Sequence, residues 1–280
     1  MKIMICGAGT MGSGIAQVMA EAGHQVILRD ISREFVDRGL KIIEKNLDKK
    51  LQKGKITADA KANVLSQIEG TISLDLAQDI HLILEAIVEK MEPKKELFQK
   101  LDEICPENVI FSSNTSALSI SELGSVTKRP DKFIGMHFFN PAPIMNLVEV
   151  IKGVGTSEET YNFVKNFTES LGKTPVTVEE APGFVVNRIL IPMINEAAYI
   201  LMEGIATAED IDTAMKLGAN HPIGPLALGD LVGLDVCLSI METLYEETGD
   251  NKYRPCPLLK KMVRAGYLGR KTKKGFFDYK

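Results

Sequence analysis

Two ionisable residues interrupt otherwise apolar runs. His137 lies within Phe133-Ile134-Gly135-Met136-His137-Phe138-Phe139, and Glu149 lies within Asn146-Leu147-Val148-Glu149-Val150-Ile151. Both are equally far in sequence from Pro143, in the Asn140-Pro141-Ala142-Pro143 segment between the runs. If the chain reverses there, the histidine and the carboxylate become cross-strand partners on one face. A buried carboxylate beside an imidazole fixes its tautomer and stabilises its charged form, which equips the histidine to take and return a proton. A satisfied core histidine near an unrelated edge carboxylate fits the same residues, so spacing alone leaves both readings open.

A second constellation lies at the N-terminal end. Gly7-Ala8-Gly9-Thr10-Met11-Gly12 fits G-x-G-x-x-G, follows an apolar run and opens an amphipathic one. It also stands one β-α-β unit before Asp30, the spacing of a dinucleotide fingerprint. Gly7 suits a tight turn, Gly9 lets backbone approach a pyrophosphate, and Gly12 permits close packing of helix on strand. The helix N-terminus offers its N–H groups and dipole to the phosphates. Asp30 would accept the adenosine ribose hydroxyls and repel a 2′-phosphate, favouring NAD over NADP. Arg29 and Arg33 flank it, and alternation along the strand turns Arg29 away, leaving Arg33 as the competitor.

Lys41, Lys45, Lys49 and Lys53 recur every four residues, which gathers them along one side of a helix. This is either a solvated face, with Asp37 available to Lys41, or a site for phosphates. The chain has 33 basic and 37 acidic residues for a net charge of −4, which argues against a nucleic-acid binder held by a globally basic surface. Its four cysteines show no C-x-x-C pair and no ligand spacing with histidine, the pattern of reduced thiols in the cytoplasm rather than of disulfides or a metal site. No signal-peptide core and no run near the ~20 apolar residues of a membrane span stand out.

Short apolar runs that alternate with amphipathic segments predict a Rossmann-type, doubly wound, mostly parallel sheet. Strands are expected at residues 3–6, 25–29, 82–84, 109–111 and 174–178. Helices are expected at 11–22, from Ser32 as N-cap through Leu51, and at 93–104. After the Ala181-Pro182-Gly183 turn the pattern becomes helical. The expected division is a nucleotide-binding domain at 1–183 and a helical domain at 184–280. The apolar stretch 189–202 is either core or material for a subunit interface.

Three motifs carry a resemblance: Ser113-Asn114-Thr115-Ser116, His137-Phe138-Phe139-Asn140-Pro141 and Ala181-Pro182-Gly183-Phe184-Val185-Val186-Asn187-Arg188. With the tail from Gly269-Arg270-Lys271-Thr272 to Gly275-Phe276-Phe277, the sequence resembles the 3-hydroxyacyl-CoA dehydrogenase family over essentially its whole length. The resemblance implies NAD-dependent interconversion of acetoacetyl-CoA and (S)-3-hydroxybutyryl-CoA. It assigns His137 and Glu149 as the acid–base dyad, Ser116 to the reacting oxygen, and Asn187 to substrate and histidine. It also puts Glu89, Lys94, Ser116, Asn140 and Lys271 beside the cofactor, Lys49 and Lys53 at the nucleotide end of coenzyme A, and a homodimer or larger assembly through the helical domain. Without it, turn or cap work would explain Ser116 and Asn187. Dehydrogenases of free 3-hydroxy acids or sugar nucleotides share the first domain, and a nucleotide sensor with a retired site is the non-enzymatic rival.

Overall fold

The computed structural model describes residues 1–280, which divide into two compact units, Met1–Ala181 and Pro182–Lys280. The boundary read from sequence, 183/184, falls inside the turn over residues 182–185.

The first unit is built on an eight-stranded sheet. Its strands are β1 (Lys2–Cys6), β2 (Gln25–Arg29), β3 (Ile68–Thr71), β4 (Leu82–Glu85), β5 (Ile110–Ser113), β6 (Phe133–Phe138), β7 (Leu147–Lys152) and β8 (Thr174–Glu179). Their order across the sheet is β3-β2-β1-β4-β5-β6-β7-β8. Pairings from β3 through β6 are parallel, β6 and β7 run antiparallel, and β7 pairs with β8 in parallel. This is the doubly wound, mostly parallel sheet expected from the alternating runs. Chain order reverses between β1 and β4, and the crevice beyond the carboxyl ends of such strands is where these sheets bind ligands.

Helices α1 (Thr10–Glu21), α2 (Arg33–Gln52), α3 (Ala58–Ser66), α4 (Met91–Ile104), α5 (Ile120–Ser125) and α6 (Glu158–Ser170) complete this unit. Ile3, Met4 and Ile5 of β1 and Leu82, Ile83 and Leu84 of β4 are fully buried, which explains why these strands do not alternate in polarity. Side-chain oxygens of Ser32, Thr57, Ser119 and Ser157 cap α2, α3, α5 and α6, each cap worth about 1 kcal/mol. The sequence reading left α3 and β3 unassigned. The edge strand β3 is only partly buried, so it lacks the apolar run that marked the central strands. Asp37 pairs with Arg33 at 2.9 Å, one helical turn before it, rather than with Lys41.

The second unit contains α7 (Val186–Met202), α8 (Ala208–Gly218), α9 (Pro225–Val232), α10 (Leu234–Thr248) and α11 (Pro257–Arg264). Ile191, Ile194 and Ala198 of α7 pack into a core with Leu234, Cys237, Met241, Leu244 and Leu259. The stretch 189–202 therefore divides: its inner face is core, while Ile189 and Met202 are exposed. Buried Asp230 anchors the C-terminal tail. Its carboxylate accepts the N–H groups of Phe276 (2.9 Å) and Phe277 (3.0 Å) and the Tyr279 hydroxyl (3.0 Å).

No helix is long and apolar enough to cross a membrane. Cys6, Cys105, Cys237 and Cys256 are all free and buried. Burial pushes the thiols of Cys6 and Cys237 up to about 12 and that of Cys105 to about 11, and raises Cys256 as well.

Candidate active site

The glycine turn is closed by backbone contacts. Gly7 has φ +113° and donates its N–H to the Arg29 carbonyl at 2.8 Å. A Cβ there would lie 2.4 Å from the Ala86 carbonyl oxygen, so the segments leaving β1 and β4 touch at the reversal point. A Cβ on Gly12 would lie 1.7 Å from the Gly7 carbonyl oxygen, whereas one on Gly9 meets nothing within 4 Å. The first and third glycines thus serve the fold, and the second faces open space. Gly9 starts α1 with no side-chain cap and no acidic residue in the first turn, which suits an anionic ligand. Gly39 of α2, which no motif marked, comes close enough that a Cβ would sit 2.8 Å from the Ala8 carbonyl oxygen.

Asp30 directly follows β2 and has both carboxylate oxygens fixed. One accepts the Ala8 N–H at 2.7 Å and the other the Ile31 N–H at 2.6 Å. Neither neighbouring arginine is hydrogen-bonded to it. Arg29 donates to the Ile72 carbonyl at 3.3 Å, and Arg33 donates to the Gly70 carbonyl at 3.2 Å besides pairing with Asp37.

The hairpin of β6 and β7 brings His137 opposite Glu149 in register. The imidazole Nδ1 lies 2.8 Å from Glu149 Oε2, and both residues are buried. An ionised carboxylate only accepts, so Nδ1 carries the proton and Nε2 is the nitrogen that can receive one. The Phe139 ring stands 4.5 Å from the imidazole, centroid to centroid. Two carbonyls of the connecting segment, Ala142 and Met145, each accept from Lys173 Nζ at 2.8 Å. Lys173 had no sequence signal, being one lysine in a glycine-containing turn. Asn140 lies exposed in that same connection.

A carboxylate network faces the carboxyl ends of β4 and β5. Glu85 accepts from Lys94 Nζ (2.5 Å), the Ile87 N–H (2.7 Å) and the Ser113 hydroxyl (2.6 Å). Every partner is a donor, the pattern of an ionised carboxylate, although burial works to push the Glu85 carboxyl up. Glu89 accepts from the Thr115 hydroxyl (2.7 Å) and from the N–H (2.7 Å) and hydroxyl (3.0 Å) of Ser116. Burial acts to raise the Glu89 carboxyl, but Lys94 and these donors outweigh it and hold it below its ordinary value. Asn114 Oδ1 accepts the Phe138 N–H at 2.9 Å, tying this segment to the residue after His137.

Lys94 closes this network. It is 1% exposed, and its ammonium is turned to Glu85 and, at 3.2 Å, to Glu89. It is the buried counter-ion shared by these two carboxylates.

The first unit thus gathers the glycine turn with Ala8, Thr10 and Met11, Asp30, Glu89, Lys94, Ser116, His137 and Glu149 along the carboxyl edge of one sheet. Lys49 is exposed on α2 and Lys53 forms its C-cap. Asn187 and Lys271 belong to the second unit. Asn187 is in the first turn of α7, and Lys271 is exposed and paired with Asp235 at 2.5 Å.

A doubly wound sheet with a glycine-rich turn at its reversal point and an acidic residue closing the next strand defines a dinucleotide-binding protein. The family model described as 3-hydroxyacyl-CoA dehydrogenase, NAD binding domain, matches residues 2–181, and the C-terminal domain of the same family matches residues 183–279. The chain belongs to the 3-hydroxyacyl-CoA dehydrogenase family and is an NAD-binding oxidoreductase, as its motifs led us to expect. It is 57% identical to 3-hydroxybutyryl-CoA dehydrogenase of Clostridioides difficile, over 100% of this chain and 99% of that protein. It is 44% identical to the human mitochondrial hydroxyacyl-coenzyme A dehydrogenase, over 99% of this chain and 91% of that protein. The crystal structure of (S)-3-hydroxybutyryl-CoA dehydrogenase PaaH1 from Ralstonia eutropha superposes with a TM-score of 0.97 at 50% identity, covering 100% of this chain and 99% of that one.

Proposed function

We propose that the protein interconverts acetoacetyl-CoA and (S)-3-hydroxybutyryl-CoA, with the His137–Glu149 pair as acid and base. The observation that carries this reading is the buried 2.8 Å contact between His137 Nδ1 and Glu149 Oε2 at the carboxyl edge of the sheet. The names of the similar bacterial proteins support the substrate class.

The residues present fit NAD. Space opens over Gly9, an uncapped helix N-terminus stands ready for phosphates, and a fixed carboxylate waits at Asp30. When bound, NAD supplies the hydride acceptor for C3 of the hydroxyacyl group. His137 Nε2 takes the 3-hydroxyl proton as that bond to hydrogen breaks, and returns it in reduction. Glu149 stabilises the imidazolium so formed and keeps the ring oriented. Ser116 would hold the substrate oxygen and Glu89 and Asn140 would serve the cofactor, while the roles of Asn187 toward substrate and of Lys271 toward cofactor rest on the family resemblance alone. Exclusion of water around the buried pair strengthens each of these interactions.

Loss of reduced-nicotinamide absorbance tests the reading against its rivals. Acetoacetyl-CoA should consume NADH rapidly, whereas acetoacetate and a UDP-sugar should not. Comparable kcat/KM for free acetoacetate would overturn the thioester assignment. In the same assay NADH should be clearly preferred over NADPH, because Asp30 meets a 2′-phosphate with like charge. Asp30→Ser should erode or reverse that preference. A wild-type enzyme that accepts both cofactors equally would show that Arg33 leaves Asp37 to pair with the phosphate.

Lys49 and Lys53 support contact with the phosphates of coenzyme A. Replacing both with Ala should raise KM for acetoacetyl-CoA roughly two- to tenfold at low salt. A truncated thioester without the nucleotide should be indifferent to the change, and equal loss for both substrates would remove the assignment. Exposed Ile189, Ile205 and Leu217 on the second unit support a homodimer or larger homo-oligomer, and the reduced, buried thiols support a cytoplasmic location.

A further inference from the structure

Glu85 is the fully buried carboxylate of the network, and it lies outside every motif. It ends β4, and its register partners on the neighbouring strands are Cys6 and Ser113, both small and neutral. A buried ion pair is weak evidence for stability, since apolar residues of similar volume often do as well. The pair of Asp102 and Arg129, at 2.7 Å, shows the structural alternative. That guanidinium binds carbonyls at the end of α4 and reaches no residue of the site.

Glu85 reaches Ser116 by one route and steadies its neighbour by another. Its Oε2 accepts the Ser113 hydroxyl, whose oxygen accepts the N–H of Thr115, the residue before Ser116, at 3.2 Å. Through charge, its Oε1 holds Lys94, whose ammonium also faces Glu89 Oε2 at 3.2 Å while Glu89 Oε1 receives the N–H and hydroxyl of Ser116. With Glu85 ionised, the charge of Lys94 is shared between two carboxylates. Without it, Lys94 turns wholly to Glu89 and draws that carboxylate towards α4, away from Ser116.

We propose that Glu85 is a positioning residue for the reaction, fixing the Ser116 hydroxyl through Lys94 and Glu89. The inference rests on Ser116 meeting the substrate oxygen, and the test separates the two. Glu85→Gln keeps shape and an acceptor but removes the charge. It should lower kcat about tenfold and leave KM for acetoacetyl-CoA within about twofold. In a Ser116→Ala background it should lower kcat no further, because the two act as one unit. Equal losses in both backgrounds, or wild-type kcat in Glu85→Gln beside a slowed Ser116→Ala, would overturn the relay alone. Wild-type kcat in Ser116→Ala would overturn the reading of Ser116 and the relay with it.

Should Glu85→Gln fail to fold, Lys94→Met carries the test through the pH profile of acetoacetyl-CoA reduction. In that direction His137 gives a proton to the substrate oxygen. The groups facing Glu89 and Glu85 are Lys94 from α4, the hydroxyls of Ser113, Thr115 and Ser116, and Cys6 of β1, whose thiol stays neutral. Loss of the cation that holds Glu89 down lets its carboxyl protonate at higher pH, so the acid limb should move up by about one unit or more. An unmoved limb would overturn the proposal.

Discussion

His137→Asn should lower kcat by roughly 10²- to 10⁴-fold while NADH binds as before, the range by which a positioned proton-transfer group accelerates a reaction. The carboxamide occupies much of the same space but has no nitrogen that takes a proton from an alcohol. Glu149→Gln should also slow turnover, since the amide presents its own hydrogens to Nδ1 and no longer offsets the charge of the imidazolium. The informative variant is the double mutant. Residues that act as a unit lose their joint contribution once either is gone, so it should be little slower than His137→Asn. Steady-state kcat with an NADH fluorescence titration on the same preparations checks both halves. Multiplicative losses, or near-normal turnover without the histidine, would return the pair to the structural reading that the residues alone left open.

Gly12→Ala should both destabilise the protein and abolish cofactor binding, whereas Gly9→Ala should do only the second. The added methyl at Gly12 arrives 1.7 Å from a backbone oxygen of Gly7, and backbone has no alternative rotamer to adopt. Either α1 shifts or the turn after β1 opens, and such overpacking costs about 1–3 kcal/mol, sometimes more. A methyl at Gly9 meets no protein atom within 4 Å, so the native fold accepts it and only the pyrophosphate collides with it. Thermal melts and NADH titrations of the two variants test the division. A Gly12→Ala protein with wild-type melting temperature would show that the helix start has more freedom than its packing indicates.

What could be read before the structure was known follows from where the information is local. The pairing of His137 with Glu149 was legible because a hairpin pairs residues at equal distance from its turn. The dinucleotide turn was legible because one strand, one turn and one helix contain all its constraints. Glu85 was not, because a carboxylate at the end of Leu82-Ile83-Leu84 reads as the point where a strand leaves the core. Its partners lie on a helix and on another strand, nine and 28 residues away. The enclosure of Lys94 was illegible for a related reason, because the two carboxylates around it come together only in the folded chain. Asp230 and the tail it anchors, 46 to 49 residues apart, left no pattern at all.

The enclosure of every native thiol has a practical side. Alkylating reagents and electrophilic probes react with the thiolate, and desolvation keeps Cys6, Cys105, Cys237 and Cys256 protonated as well as out of reach. A cysteine introduced at an exposed site, such as Lys53, would be modified far faster than these four while the chain stays folded. Fluorophores or spin labels can therefore be attached singly to the native sequence without first removing its own cysteines. Conversely, slow uptake of reagent by the unaltered protein reports the rate at which its interior opens.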